Sequence, residues 1–214
     1  MIDLHTHTLL SDGVLLPTEL ARRAKAIGYS VIGITDHADS SNIELIIDSM
    51  KKVCRDVGSK MGIRIIPGVE LTHVPPALIP QMADKARKLG SKLIVVHGET
   101  IVEPVKEGTN RAALESDIDI LAHPGLITEA EARIAAKKNI CLEITTRQGH
   151  CLTNGHVAKV ALKTKAPLVL NTDSHTPGDL VARGFAEMTA AGAGLPKGYH
   201  KVMLKNSGKI IQKV

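Results

Sequence analysis

Residues Ile2-Asp3-Leu4-His5-Thr6-His7 run from a short aliphatic stretch into two histidines two positions apart. Read as a strand, the side chains alternate faces, so His5 and His7 share a face with Asp3 while Ile2 and Leu4 face the helices. The same form recurs along the chain. Further strands are expected near 30–36, 63–69, 92–97, 118–122, 140–145 and 167–172. They run into Ile34-Thr35-Asp36-His37, Pro67-Gly68-Val69-Glu70, Val95-Val96-His97-Gly98, Ala122-His123-Pro124-Gly125, a stretch containing Glu143, and Asn171-Thr172-Asp173-Ser174-His175. Amphipathic segments alternate with them near 17–27, 43–57, 77–89, 106–116, 129–138, 155–164 and 178–191. Pro17, Thr128 and Asn154 mark helix starts, and Gly28, Gly58 and Gly90 mark helix stops.

Seven strand–helix units imply parallel strands joined by right-handed crossovers. Reactive residues end nearly every strand instead of gathering at one switch point. The expected fold is therefore a closed or nearly closed α/β barrel with its site at the C-terminal mouth. The 214 residues fit one domain. Its barrel core spans about 1–191, and a C-terminal helix or tail covers 192–214.

Hydrophobic residues make up 43% of the chain, but aromatics are only Tyr29, Phe185 and Tyr199, so the core must be aliphatic. That scarcity disfavours stacking on single-stranded nucleic acid. The net charge of +5 comes from 27 Lys and Arg against 22 Asp and Glu, with the basic residues spread along helix faces. Such a balance is compatible with anionic substrates but too spread out to mark a nucleic-acid surface. Cys54, Cys141 and Cys151 have no CxxC spacing and read as small buried hydrophobes in a reducing cytosol. No basic leader or membrane-length apolar run appears, so a cytoplasmic location is expected. The oligomeric state is not legible.

Six of the ten histidines lie at or just beyond an expected strand end. Imidazoles and carboxylates gathered at that density repel one another or stay unpaired unless cations hold them. Ser11-Asp12-Gly13 adds a carboxylate in the first loop.

In order and context these motifs resemble the PHP (polymerase and histidinol phosphatase) superfamily, from His5 to His175. The resemblance implies a distorted seven-stranded TIM-like barrel and a trinuclear centre. His5, His7, Glu70 and Asp173 would hold a first metal. Glu70 would bridge to a second held by His97 and His123, and Asp12, His37 and His175 would hold a third. Mixed imidazole and carboxylate ligation suits two to three Zn²⁺, Mn²⁺ or Fe²⁺ ions.

The implied activity is hydrolysis of a small phosphomonoester, histidinol phosphate being the substrate the family name suggests, by hydroxide from a water whose pKa the metals lower. Glu70, Asp173 and His175 are the catalytic candidates. Arg147 is the candidate phosphate clamp, since a guanidinium matches phosphate bidentately; the alternative is a surface arginine. His150 is a candidate substrate contact. Glu143 is an extra ligand, a charge balanced by Arg147 or, preferably, an outer partner that orients an imidazole. His73, Glu99, Glu103, Lys106 and Arg111 lie in rim loops, and His156 and His200 belong to helix surfaces. Rival readings are a phosphodiesterase or exonuclease acting on nucleotides or single strands, a metal-bound structural module, and amide hydrolysis.

Overall fold

The computed structural model describes residues 1–213, the side chain of Ser59 excepted. Its strands are β1 (Ile2–Asp3), β2 (Val31–Ile34), β3 (His37–Ala38), β4 (Arg64–Leu71), β5 (Leu93–His97), β6 (Ile120–Ala122), β7 (Cys141–Thr145) and β8 (Leu168–Asn171). The helices are α1 (Pro17–Ala26), α2 (Ile43–Val57), α3 (Ile79–Leu89), α4 (Thr109–Glu115), α5 (Glu129–Lys138), α6 (Asn154–Thr164), α7 (Arg183–Gly192) and α8 (His200–Gln212). All pairings are parallel, in the order β1-β2-β4-β5-β6-β7-β8, with the short β3 on β4. The sheet curls into a nearly closed α/β barrel, as expected.

Local chemistry explains the helix limits. Thr128 and Glu131 form a reciprocal capping box at the start of α5. Gly90, at φ 101°, ends α3 in the left-handed region. Two helices start later than the sequence suggests. Gly108 takes a φ of 91° before α4. Ahead of α7, Pro177–Asp179 form a separate turn in which the Asp179 carboxylate accepts from the backbone of His175 and Thr176.

The expected first strand, 2–7, is the main departure. Regular pairing stops at Asp3, because Leu4 N donates to Asn171 Oδ1 and His5 N to Asp3 Oδ1. The assigned faces are reversed at its start. Leu4 packs inside the barrel with Ile66, Leu93, Val95 and Val169, and Ile2 lies against that cluster. Asp3 pairs in register with Ile32, which packs with the α1 residues Leu20 and Ala24 on the outer side. Its carboxylate holds Thr172 through the backbone N and the hydroxyl. The seam between the first and last strands is completed further on, where His7 N donates to Ser174 O at 2.8 Å and Asp173 N to His5 O at 2.9 Å.

The core is aliphatic, as composition requires. One layer fills the space between strands and helices, with Val69, Ile94, Val96, Leu121 and Leu142 against α2 to α6. The barrel interior is a second layer, which Ile210 and Ile211 of α8 complete. The C-terminal segment is thus part of the barrel's packing. Among the described residues no helix is long and apolar enough to cross a membrane.

Because Ile210 is only 6% exposed and packs in the interior layer, Ile210→Ala should destabilise the fold by about 2 to 5 kcal/mol. Denaturant unfolding followed by circular dichroism measures this, and a loss within error would show that α8 is peripheral.

Candidate metal centre

The C-terminal ends of the strands converge on one buried patch of imidazoles and carboxylates. Past Asp3 the chain leaves strand alternation, and this brings both His5 and His7 inward. Asp173 and His123 take φ values of 51° and 26°, a region that costs a non-glycine residue strain. Both bends lie where a side chain turns into the mouth. The loops after β5 and β6 are pressed together. A Cβ on Gly98 would sit 2.3 Å from Ala122 O, and one on Gly125 would sit 1.8 Å from Glu99 O. Glycine is required at both places, and the contact sets the spacing of His97 and His123.

His5 Nε2 lies 3.2 Å from Glu70 Oε1, and His7 Nε2 lies 3.1 Å from Asp173 Oδ1. The other Glu70 oxygen meets His37 Nδ1 at 2.7 Å. Asp12 Oδ1 lies 3.4 Å from His37 Nε2 and 3.1 Å from His175 Nε2. His123 Nε2 approaches Glu70 Oε1 at 3.7 Å and Asp173 Oδ2 at 3.6 Å. Four groups have their ligand atoms mutually within 4.8 Å: His5, His7 and Glu70; His5, His123 and Asp173; His7, Asp12, His37 and His175; and His97, His123 and His150.

Outer partners orient the rings. His5 Nδ1 meets Glu143 Oε1 at 2.9 Å, His97 Nδ1 meets Gly98 O at 3.1 Å, and His175 Nδ1 meets Asp173 O at 2.9 Å. Each of these oxygens can accept from Nδ1, and in that tautomer Nε2 would be free to ligate a cation at the mouth. Among the described residues, seven buried side-chain atoms have no hydrogen-bond partner of good geometry: His5 Nε2, both ring nitrogens of His7 and of His123, Glu70 Oε1 and Asp173 Oδ1. Orphaned atoms of this kind are costly and rare, and divalent cations would satisfy them together. The residues therefore fit a metal centre of nitrogen and oxygen ligands.

The protein's own field is divided. Burial raises Glu70, but His5 and His37 outweigh it and hold the carboxyl well below its usual range. Burial pushes Asp173 up to about 7, with His5 opposing and Glu70 adding to the rise. Burial and the neighbouring His37 keep His7 well below the imidazole range, while at His5 the burial effect is overcome by Glu143 and Glu70.

The nine residues of the expected ligand set all lie in these four groups. Their grouping differs from the expected one: Asp173 stands with His5 and His123, His7 also joins Asp12, His37 and His175, and His97 and His123 stand with His150 instead of Glu70. Glu143 takes the outer position expected for it. Besides His5, it accepts from His123 N and Asn171 Nδ2. Arg147 donates to Asp179 Oδ2 at 3.2 Å. Its guanidinium is thus already engaged, beside the His175 loop. Arg111 points along α4 to Glu115, not inward. His156 binds Ile127 O and His200 pairs with Glu187, both on helices as expected. The cysteines are unpaired; Cys141 is buried in the barrel interior, while Cys54 and Cys151 are only half-buried.

Sequence reasoning gave no role to Asp36 or Asp179, and placed Glu103 only in a rim loop. Asp36 fastens the first loop by accepting from Thr8 N, Thr8 Oγ1 and Ser11 Oγ. Asp179 was findable, because Thr176-Pro177-Gly178-Asp179 has the spacing of a capping box. Glu103 reaches three histidines, His73, His97 and His150, which no local spacing reveals.

A parallel α/β barrel with clustered metal-type ligands at its C-terminal mouth defines the class. The PHP domain profile matches residues 3–167, and the chain belongs to that family. It is 48% identical over 201 residues to an uncharacterized protein of Methanocaldococcus jannaschii, covering 90% of this chain and 89% of that one. In fold it is similar to a chain of an archaeal ribonuclease P solved with mature tRNA, at TM-score 0.73 and 19% identity over 99% of this chain and 90% of that one. A histidinol phosphate phosphatase from Lactococcus lactis, complexed with zinc, L-histidinol and phosphate, is similar at TM-score 0.62 and 17% identity, over 96% and 93% of the two chains.

Replacing the partner of His5 tests the outer layer. Glu143→Gln should weaken binding of the tightest Zn²⁺ by about 10 to 100-fold, read by titrating metal-free protein against a chromophoric chelator. Unchanged affinity would mean that Glu143 does not orient a ligand.

Proposed function

We propose that the protein is a metal-dependent phosphoesterase acting on a small phosphomonoester. The observation that carries the reading is the contiguity of the four ligand groups, which share His5, His7 and His123. Adjacent cation positions suit a dianion whose several oxygens need neutralising at once. Bound divalent ions would supply Lewis-acid polarisation of the phosphoryl group and an acidified water as nucleophile. The chain's own part is to hold those ions and shape access. Glu70 faces His5 with one oxygen and His37 with the other, so it ties adjoining positions together. Asp12 is 57% exposed and His37 26%, whereas His5 and Glu70 are fully enclosed. An incoming phosphate would meet the Asp12, His37 and His175 group first.

The rim favours a small substrate over a polynucleotide. Glu99, Glu103 and Glu107 stand with Lys106 in the loop after β5 and Asp12 in the loop after β1, and Arg147 donates one hydrogen bond to Asp179. Of the basic residues in these rim loops, Lys106 stands among three glutamates and Arg147 donates to Asp179, a sparser cationic edge than nucleic-acid grooves present.

The test is a panel of phosphomonoesters, phosphodiesters and single-stranded oligonucleotides, run with Mn²⁺, Zn²⁺ or Fe²⁺. Monoesters should have the highest kcat/KM, and chelation should abolish turnover. His97→Ala should lower kcat by about 100-fold or more. Cleavage of oligonucleotides with no monoester turnover would replace this reading with a phosphodiesterase.

A further inference from the structure

His150 lies just past β7, outside the expected ligand set, yet its environment matches that of the ligands. It is 7% exposed, and its ring stacks on His123 with centroids 4.2 Å apart. His97 and His123 are 4.4 Å apart, centroid to centroid. His150 Nδ1 meets the Thr100 hydroxyl at 2.8 Å, which leaves Nε2 facing the cluster, 3.3 Å from Glu103 Oε1. The other Glu103 oxygen lies 3.2 Å from His97 Nε2. His123, 2% exposed, has no hydrogen-bond partner at either ring nitrogen.

Three imidazoles with ligand atoms within 4.8 Å of one another are unfavourable neighbours in a dry site. Neutral rings would set lone pair against lone pair, and protonated rings would set charge against charge. Glu103 relieves His97 and His150 but leaves His123 orphaned. A single cation would satisfy all three rings.

We propose that His150 is a metal ligand. Together with His97 and His123 it makes one ion position, which Glu103 closes from the solvent side. A set of three imidazoles and one carboxylate suits Zn²⁺ or Co²⁺. The position is built between two loops. Thr100 and Glu103 come from the loop after β5 and His150 from the loop after β7. A Cβ on Gly149 would lie 3.5 Å from Val102 Cγ2, so the loops pack side by side there. Glu103 lies on the half-exposed edge of the position. The proposal rests on the reading of the mouth as a metal centre, not on the choice of substrate.

Titrating the metal-free full chain with Co²⁺, followed by visible absorption, tests it without reference to turnover. Wild type should show more than one class of site. His150→Ala should weaken one class by more than the ~100-fold that loss of an outer partner costs, leaving the others in place. Glu103→Gln should weaken the same class. His73→Ala, which removes a ring that touches Glu103 from outside the group, should leave the titration unchanged. His150→Gln preserves size if His150→Ala fails to fold, and circular dichroism of the metal-free variants checks this. A His150 variant whose titration superimposes on wild type overturns the proposal, as does one that changes no more than His73→Ala. If wild type takes up no Co²⁺, the metal-centre reading falls as well. If it binds Co²⁺ but hydrolyses no monoester, only the substrate reading falls.

Discussion

The structure turns on the desolvation of imidazoles and carboxylates at one end of the barrel. Among the described residues, seven side-chain atoms on His5, His7, Glu70, His123 and Asp173 are buried without a hydrogen-bond partner. Each such atom costs on the order of 1 to 3 kcal/mol when left unmade, so an uncharged core would be more stable in their place. The aliphatic interior beneath them and the packed helices around it supply the stability that the mouth withholds. Cations would convert this liability into a set of bonds.

Holding the mouth in shape is the task of the seam between the first and last strands. Asn171 accepts from Leu4 N and donates to Glu143 Oε1, and that same oxygen meets His5 Nδ1. One amide thus links barrel closure to the orientation of a ligand ring. Asp3 adds to this from the outer side by holding Thr172, next to Asp173. Burial draws the Asp3 carboxyl up to about 6, against the hydrogen bonds from Thr172 and His5. Closure and site geometry are therefore one problem, and a change on either side of the seam will be felt on the other.

The loops above the seam divide the labour. Asp36 and Asp179 fasten the loops that carry Asp12 and His175, and neither belongs to one of the four ligand groups. The close approach of the loops at Gly98 and Gly125 fixes His97 against His123. The mouth has an acidic edge, and its one conspicuous arginine, Arg147, is engaged by Asp179.

The sequence by itself determined the alternation of strands and helices, the parallel barrel and the residues that line its mouth. Those depend on local rules: apolar periodicity, capping residues such as Thr128, and the position of a histidine at a strand end. Tertiary structure alone decided how the mouth is wired. Strand alternation assigned the wrong faces to Ile2, Asp3 and Leu4, because the hydrogen bond that breaks β1 comes from Asn171, 167 residues away. His5 finds its orienting carboxylate 138 residues on, at Glu143, and His150 meets Thr100 across 50 residues. The engagement of Arg147 by Asp179 and the company His150 keeps are likewise set by which loops pack together. No local spacing carries that information, because it arises only when the barrel closes and brings distant strand ends within bonding distance.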